Sequence, residues 1–244
     1  MPTESAPEPT EGAEGVERRL ARTVVAVDGP SGSGKSSTAR GVAERLGLRY
    51  LDTGAMYRAV TWAVLQQDAD TGDAEAVADV ARRAGLESGT DPAAPTISVD
   101  GTDVAGPIRG PAVTAAVSAV SAVPAVRELM VARQRELIGP GGIVVEGRDI
   151  GSTVAPGALV KVFLSADVQA RVRRRIAQVG QPDSAHDSTR DDLDRRDRLD
   201  SSRVASPLTR ATDAVDVDTT DRTLEQVIDH VVALVRTAVE TGDR

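Results

Sequence analysis

The sequence predicts an α/β fold in which a parallel sheet is flanked by helices. Three observations carry that prediction. Short apolar runs at residues 24–27, 143–145 and 159–164 have the length and continuity of strands buried on both faces. Stretches with helical patterning alternate with such runs along the chain. Residues 24–46 read without a gap as strand, glycine loop and helix.

Taken in order, Val-Val-Ala-Val at 24–27 forms the first strand and residues 36–46 the first helix. A second strand ends near Leu51, followed by helical patterns at 55–67 and 74–84. Residues 85–111 are rich in Gly, Pro and Asp and interrupt the alternation. Within them Thr96-Ile97-Ser98-Val99 alternates polar with apolar and runs into Asp100-Gly101, a hairpin signal. A helix at 126–137 precedes the strands at 143–145 and 159–164. Helices at 169–178 and 191–199, a weaker strand at 214–217 and a helix at 224–239 complete the order. No internal repeat is present. The first 20 residues combine Pro, Glu, Gly and Thr with little apolar content, so residues 1–21 are expected to form a disordered acidic tail.

Composition removes several function classes. The chain has 244 residues, 40% of them hydrophobic and 2% aromatic, enough for one core built from Val, Ala, Leu and Ile. It has no cysteine, which excludes disulfides and cysteine-based zinc sites. The two histidines, His186 and His230, lie far apart and read as surface or packing residues rather than ligands. A net charge of −8 argues against binding nucleic acid but not against a mononucleotide. The start lacks the basic-then-apolar pattern of a secretory signal, and no segment has the ~20 apolar residues that span a bilayer. A cytoplasmic monomer with no nucleic-acid or membrane partner is the expectation.

The motifs point to phosphate chemistry. Gly29-Pro30-Ser31-Gly32-Ser33-Gly34-Lys35-Ser36 fits the P-loop pattern in full, between a strand and a helix. Glycines let successive backbone N–H groups turn toward one point, where the helix N-terminus adds partial positive charge. Lys35 would reach the β- and γ-phosphates of a nucleoside triphosphate, and the Ser36 hydroxyl would ligate Mg²⁺. A glycine-rich turn that binds nothing is the bland alternative. It sits poorly with a chain that has only two lysines, Lys35 and Lys161, among 29 Lys plus Arg.

Further along, Thr53 reads as an N-cap, with Tyr57 one turn later on the same face and Arg58 beside it. An ordinary capped helix would look the same. The apolar run ending in Glu146-Gly147-Arg148-Asp149 places charges at the carboxyl end of a buried strand, where ligands of open α/β sheets sit. Arg171, Arg174 and Arg175 share one helix face, as do Arg196, Asp200 and Arg203, around the turn-rich tip 180–184. A solvated charged face explains such runs by default. Two arginine-bearing helices around a tip also suit a lid over transferring phosphates.

Together these motifs make the chain resemble the bacterial cytidylate kinases of the nucleoside monophosphate kinase group. The match runs from about residue 23 to 235. It comprises the donor loop 28–37, Asp52-Thr53-Gly54-Ala55-Met56-Tyr57-Arg58, Val117-Ser118 with Pro124-Ala125-Val126-Arg127, and Glu146-Gly147-Arg148-Asp149. Arg196-Asp197 with Asp200 and Arg203, then Ser206-Pro207-Leu208, completes it. The resemblance implies ATP-dependent phosphorylation of CMP and dCMP with Mg²⁺, on a single domain at 22–244. That domain would carry an inserted monophosphate-binding subdomain at about 85–125 and a helical lid at about 171–203.

By the same resemblance, residues 29 to 37, ending in Ser37, bind ATP. Ser118, Arg127 and Asp149 contact cytosine, Arg58, Arg148 and Arg203 the acceptor phosphate, and Arg196 and Asp200 the ribose. Thr53 and Tyr57 belong to the CMP site, and Lys35, Arg148 and Arg203 are the catalytic set. A carboxylate at 149 can accept from the cytosine N4 amine, where uracil presents O4 instead. The stretch 108–112 lacks the Thr-x-Glu that often follows Ile-Arg in relatives, so no contact is assigned to it. The tail before Arg22 matches nothing and is expected to be dispensable.

Among rival readings, a switch GTPase needs an Asn-Lys-x-Asp motif, and the chain has no asparagine. A P-loop kinase for UMP or for a small metabolite such as shikimate stays open on residue types alone. So does a binding protein that keeps the fold without turnover.

Overall fold

The computed structural model describes residues 11–180, 182, 185–201 and 208–242. Five parallel strands form one sheet in the order β2-β6-β1-β7-β8, with β1 (Val24–Asp28) at its centre. β1 pairs β6 (Ile143–Gly147) on one side and β7 (Val160–Ser165) on the other, Val25 lying opposite both Val144 and Val160. β2 (Arg49–Asp52) and β8 (Val215–Asp218) are the edges. Val25, Ala26 and Val27 are wholly buried, as the unbroken apolar run requires of a central parallel strand.

One face of the sheet packs on α3 (Thr53–Gln66), α4 (Ala74–Arg83) and α6 (Pro124–Ile138), around Leu51, Met56, Val60 and Val145. The other packs on α2 (Lys35–Leu46) and α9 (Leu224–Thr241), around Val27, Val42, Val144 and Val231. The expected small β-region is a three-stranded antiparallel sheet of β3 (Leu86–Ser88), β4 (Ile97–Val99) and β5 (Thr102–Asp103). Asp100 and Gly101 take φ of 50° and 75°, the pair of left-handed residues that a tight hairpin turn needs. α7 (Val168–Val179) and α8 (His186–Ser201) are the two arginine-bearing helices.

Two elements depart from the sequence expectation. α5 (Pro111–Val120) is a helix where none was marked. Its sequence is apolar almost all round and shows no 3.6-residue stripe, although Pro111 at its start is a good first-turn residue. The tail reading of residues 1–21 also fails in its second half, because residues 11–20 form a helix, α1 (Glu11–Leu20). Val16 and Leu20 pack against the α2–α9 core, and Arg19 Nη1 donates to the Val239 carbonyl at the end of α9, 2.9 Å away. A long-range anchor, invisible to local composition, orders the segment. Residues 1–10 of that expected tail lie outside the described residues.

Candidate active site

The donor side starts where β1 ends. Gly29 has φ of 148°, and a Cβ there would stand 2.1 Å from the Leu164 carbonyl, so the loop leaves the sheet pressed against β7. Gly34 precedes α2 in a left-handed conformation with no side-chain cap. The first-turn N–H groups of α2 therefore face the cavity with no protein acceptor among the described residues, an arrangement suited to an anion. Lys35 is buried, and its Nζ donates to the Pro30 carbonyl at 2.6 Å. Burial, then the charge of Arg148, pushes its ammonium well below the usual lysine range.

The acceptor side is built by α3, α5, α6 and the end of β6. Asp52, not Thr53, caps α3, accepting from Ala55 N at 2.8 Å. Thr53 is the first helical residue, and its hydroxyl donates to the Glu146 carbonyl at 2.6 Å, pinning α3 to β6. Arg58 Nη1 donates to the Ile108 carbonyl (3.0 Å) and to Thr114 Oγ1 (3.1 Å). Arg127 pairs with Asp149, Nη2 to Oδ2 at 2.6 Å, and its guanidinium lies 5.4 Å from the centre of the Tyr57 ring. Both partners are less than a tenth exposed. An ion pair that dry is worth little to stability by itself.

Arg148 joins the two sides. Its Nε pairs with Asp200 of α8 at 2.8 Å, and its Nη1 donates to the Gly29 carbonyl at 3.0 Å. Asp28 strengthens the joint by accepting from the consecutive amides of Ile150 (2.9 Å) and Gly151 (2.8 Å). Burial lifts its carboxyl to about 6.

These elements enclose a cavity of about 840 Å³. Ser31 to Ser37, Thr53, Tyr57, Arg58, Ser118, Arg127, Arg148, Asp149, Arg196 and Asp200 all line it, so the structure gathers sixteen of the nineteen residues singled out in the sequence. Gly29 and Pro30 do not reach the wall; they act from behind, through the carbonyls that hold Arg148 and Lys35. Arg203 lies outside the described residues. Of the lid arginines, Arg174 and Arg175 line the cavity. Arg171 is turned away, to the Ser31 carbonyl and the Asp197 carboxylate.

Four residues near this cavity had no role assigned from the sequence, although Asp28, Asp52 and Glu146 stand within its motifs. Asp52, Glu146 and Arg109 line it, and Asp28 sits at its root. Glu146 accepts from Tyr50 Oη at 2.6 Å, and burial together with the nearby Asp52 pushes its carboxyl up. Its place in the charged run at the end of β6 was the available signal. Burial lowers Arg58 to about 10, with Arg175 adding to it, and lowers Arg196 to about 9, with Arg148 adding to it. Cations that repel one another inside an acidic protein mark a site that an anion completes.

A family model described as "Cytidylate kinase" matches residues 25–237. The chain belongs to the cytidylate kinase family. Among curated relatives, a cytidylate kinase of Streptomyces griseus is 55% identical over 222 residues, covering 90% of this chain and 95% of that protein. The cytidylate kinase of Streptomyces avermitilis is 55% identical over 223 residues, covering 91% and 96%. That of Mycolicibacterium paratuberculosis is 53% identical over 223 residues, covering 90% and 97%. The span shared with this family takes in every element that builds the cavity. Among the described residues no single helix is long and apolar enough to cross a membrane.

Proposed function

We propose that the protein transfers the γ-phosphoryl group of ATP to CMP and dCMP, giving ADP with CDP or dCDP. The buried Arg127–Asp149 pair in the wall of a cation-lined cavity carries this reading within the cytidylate kinase family. Asp149 would accept from the cytosine N4 amine while Arg127 donates to a ring acceptor, with Ser118 beside them. Uracil would leave those groups facing mismatched partners, at about 1–3 kcal/mol each.

The donor triphosphate would lie along the loop amides of residues 31–37 with Lys35. The cavity continues past Thr38 to Leu224 and Val227, which leaves room for the donor nucleoside. Arg58, Arg148 and Arg203 would hold the acceptor phosphate, and Arg196 with Asp200 the ribose. An oxygen of the acceptor phosphate attacks the γ-phosphorus in line. The bond to the oxygen bridging the β- and γ-phosphorus breaks, and its electron pair stays on ADP. No strong base is needed because the acceptor phosphate is already ionised, so the residues act by positioning and charge neutralisation. The residues fit Mg²⁺ delivered with the nucleotide: the Ser36 hydroxyl beside the Glu146 carboxylate offers the hard oxygen donors that this ion takes. Bound there, the ion would neutralise charge on the transferring group.

The direct test is to incubate the protein with ATP, MgCl₂ and CMP and resolve the nucleotides by chromatography. CDP and ADP in equal amounts are expected. Retained ATP binding with no CDP would overturn the reading in favour of a non-catalytic binding protein.

A further inference from the structure

We infer that Arg109 is an acceptor-phosphate residue of this site, reaching the phosphate from the inserted region. The inference rests on the reading of the cavity as a CMP site and extends it by one cation that no motif assigned.

Arg109 ends the one-turn 3-10 helix Pro107–Arg109, which joins the three-stranded sheet to α5. That turn is fixed, because Ile108 is buried and its carbonyl receives Arg58 Nη1. The residue after this anchor is therefore held next to an arginine already placed on the acceptor phosphate. The Arg109 side chain lines the cavity, is solvent-exposed, and has no hydrogen bond or ion pair among the described residues.

An exposed arginine on a turn is ordinarily just solvated. Convergence argues otherwise here. Burial is the main cause that lowers both Arg58 of α3 and Arg175 of α7, and the positive charge of Arg109 adds to it in each, for Arg58 after that of Arg175. Insertion and lid thus each bring an arginine to one mouth, in a chain whose net charge is −8. Like charges so arranged are offset by a dianionic phosphate between them.

The test compares binding of CMP and of cytidine, which lacks the phosphate, to the wild type, Arg109→Ala and Arg109→Lys by NMR titration, which reads millimolar affinities. Removing one charge-assisted phosphate contact should weaken CMP by about 10-fold in Arg109→Ala, leave cytidine within about twofold, and be partly restored by Arg109→Lys. Unchanged CMP affinity, or equal weakening of CMP and cytidine, would overturn the assignment. A wild type that binds no CMP would instead remove the underlying reading, and the assignment with it.

Discussion

At the scale of single residues, Arg127 and Asp149 set the character of the site. Truncating one member strands the other charge in a dry pocket, which is where such a change is most severe. Arg127→Ala should lower kcat/KM for CMP by about 10²–10³-fold, with a much smaller effect on the KM for ATP, in steady-state assays with each substrate varied. Equal losses for both substrates would mean that the pair supports the fold rather than the acceptor. Both residues were reached through the family resemblance, whereas the run 29–37 was legible from its own pattern, whose glycines impose a local geometry. The cap of α3 was misplaced by one residue because Asp52 and Thr53 are both good caps, and only the partner of the Thr53 hydroxyl, on β6, decides between them. Arg109 stands in the Ile-Arg pair of the stretch 108–112, to which the sequence reading assigns no contact. Its place depends on Arg58 bonding a carbonyl fifty positions along the chain.

At the scale of elements, α1 is the clearest case of tertiary contact overriding composition. Val16 and Leu20 bury part of their surface on the α2–α9 core, and Arg19 satisfies a carbonyl at the C-terminal end of α9. Removing residues 1–20 should cost about 1–3 kcal/mol of stability from that burial. It should leave turnover of CMP nearly unchanged, since none of the segment's described residues lines the cavity. Chemical denaturation beside an activity assay checks both halves; an unaltered midpoint would mean that the anchor contributes nothing. α7 is likewise more tied down than its arginine pattern indicated. Arg174 holds Thr219 through its hydroxyl at 2.9 Å and its carbonyl at 2.6 Å. That hydroxyl lies within donating distance of the Ser165 (3.0 Å) and Ser33 (3.1 Å) carbonyls, and Arg171 Nη1 donates to the Ser31 carbonyl at 3.2 Å. The first turns of α7 are therefore bonded to the loop 29–37 through Arg171, whereas helical offsets alone could say only which residues share a face.

At the scale of the molecule, the cavity concentrates groups whose charged forms are disfavoured by burial, and this leaves a signature in stability. Asp28 rises from 3.8 to about 6 on folding, chiefly through burial. An acid with a raised folded value binds its proton more tightly in the native state. Its stabilising contribution is thus complete below about pH 4 and is lost as pH climbs through 6. Between pH 4 and 7 the stability of Asp28→Asn relative to wild type should therefore shift by about 2–3 kcal/mol in favour of the variant. Urea unfolding at several pH values reads this directly, and a difference that stays constant with pH would contradict it. Ligands that meet the converging arginines would offset the repulsion, so binding and stability are linked through the same residues.

The central claim, recognition of a cytosine monophosphate as phosphoryl acceptor, is tested most directly by the ratio of kcat/KM for CMP to that for UMP, measured with ATP and MgCl₂ held saturating. Mismatch at the Arg127–Asp149 pair predicts a ratio of about 10–10³. A ratio near one would contradict the assignment of that pair to the base.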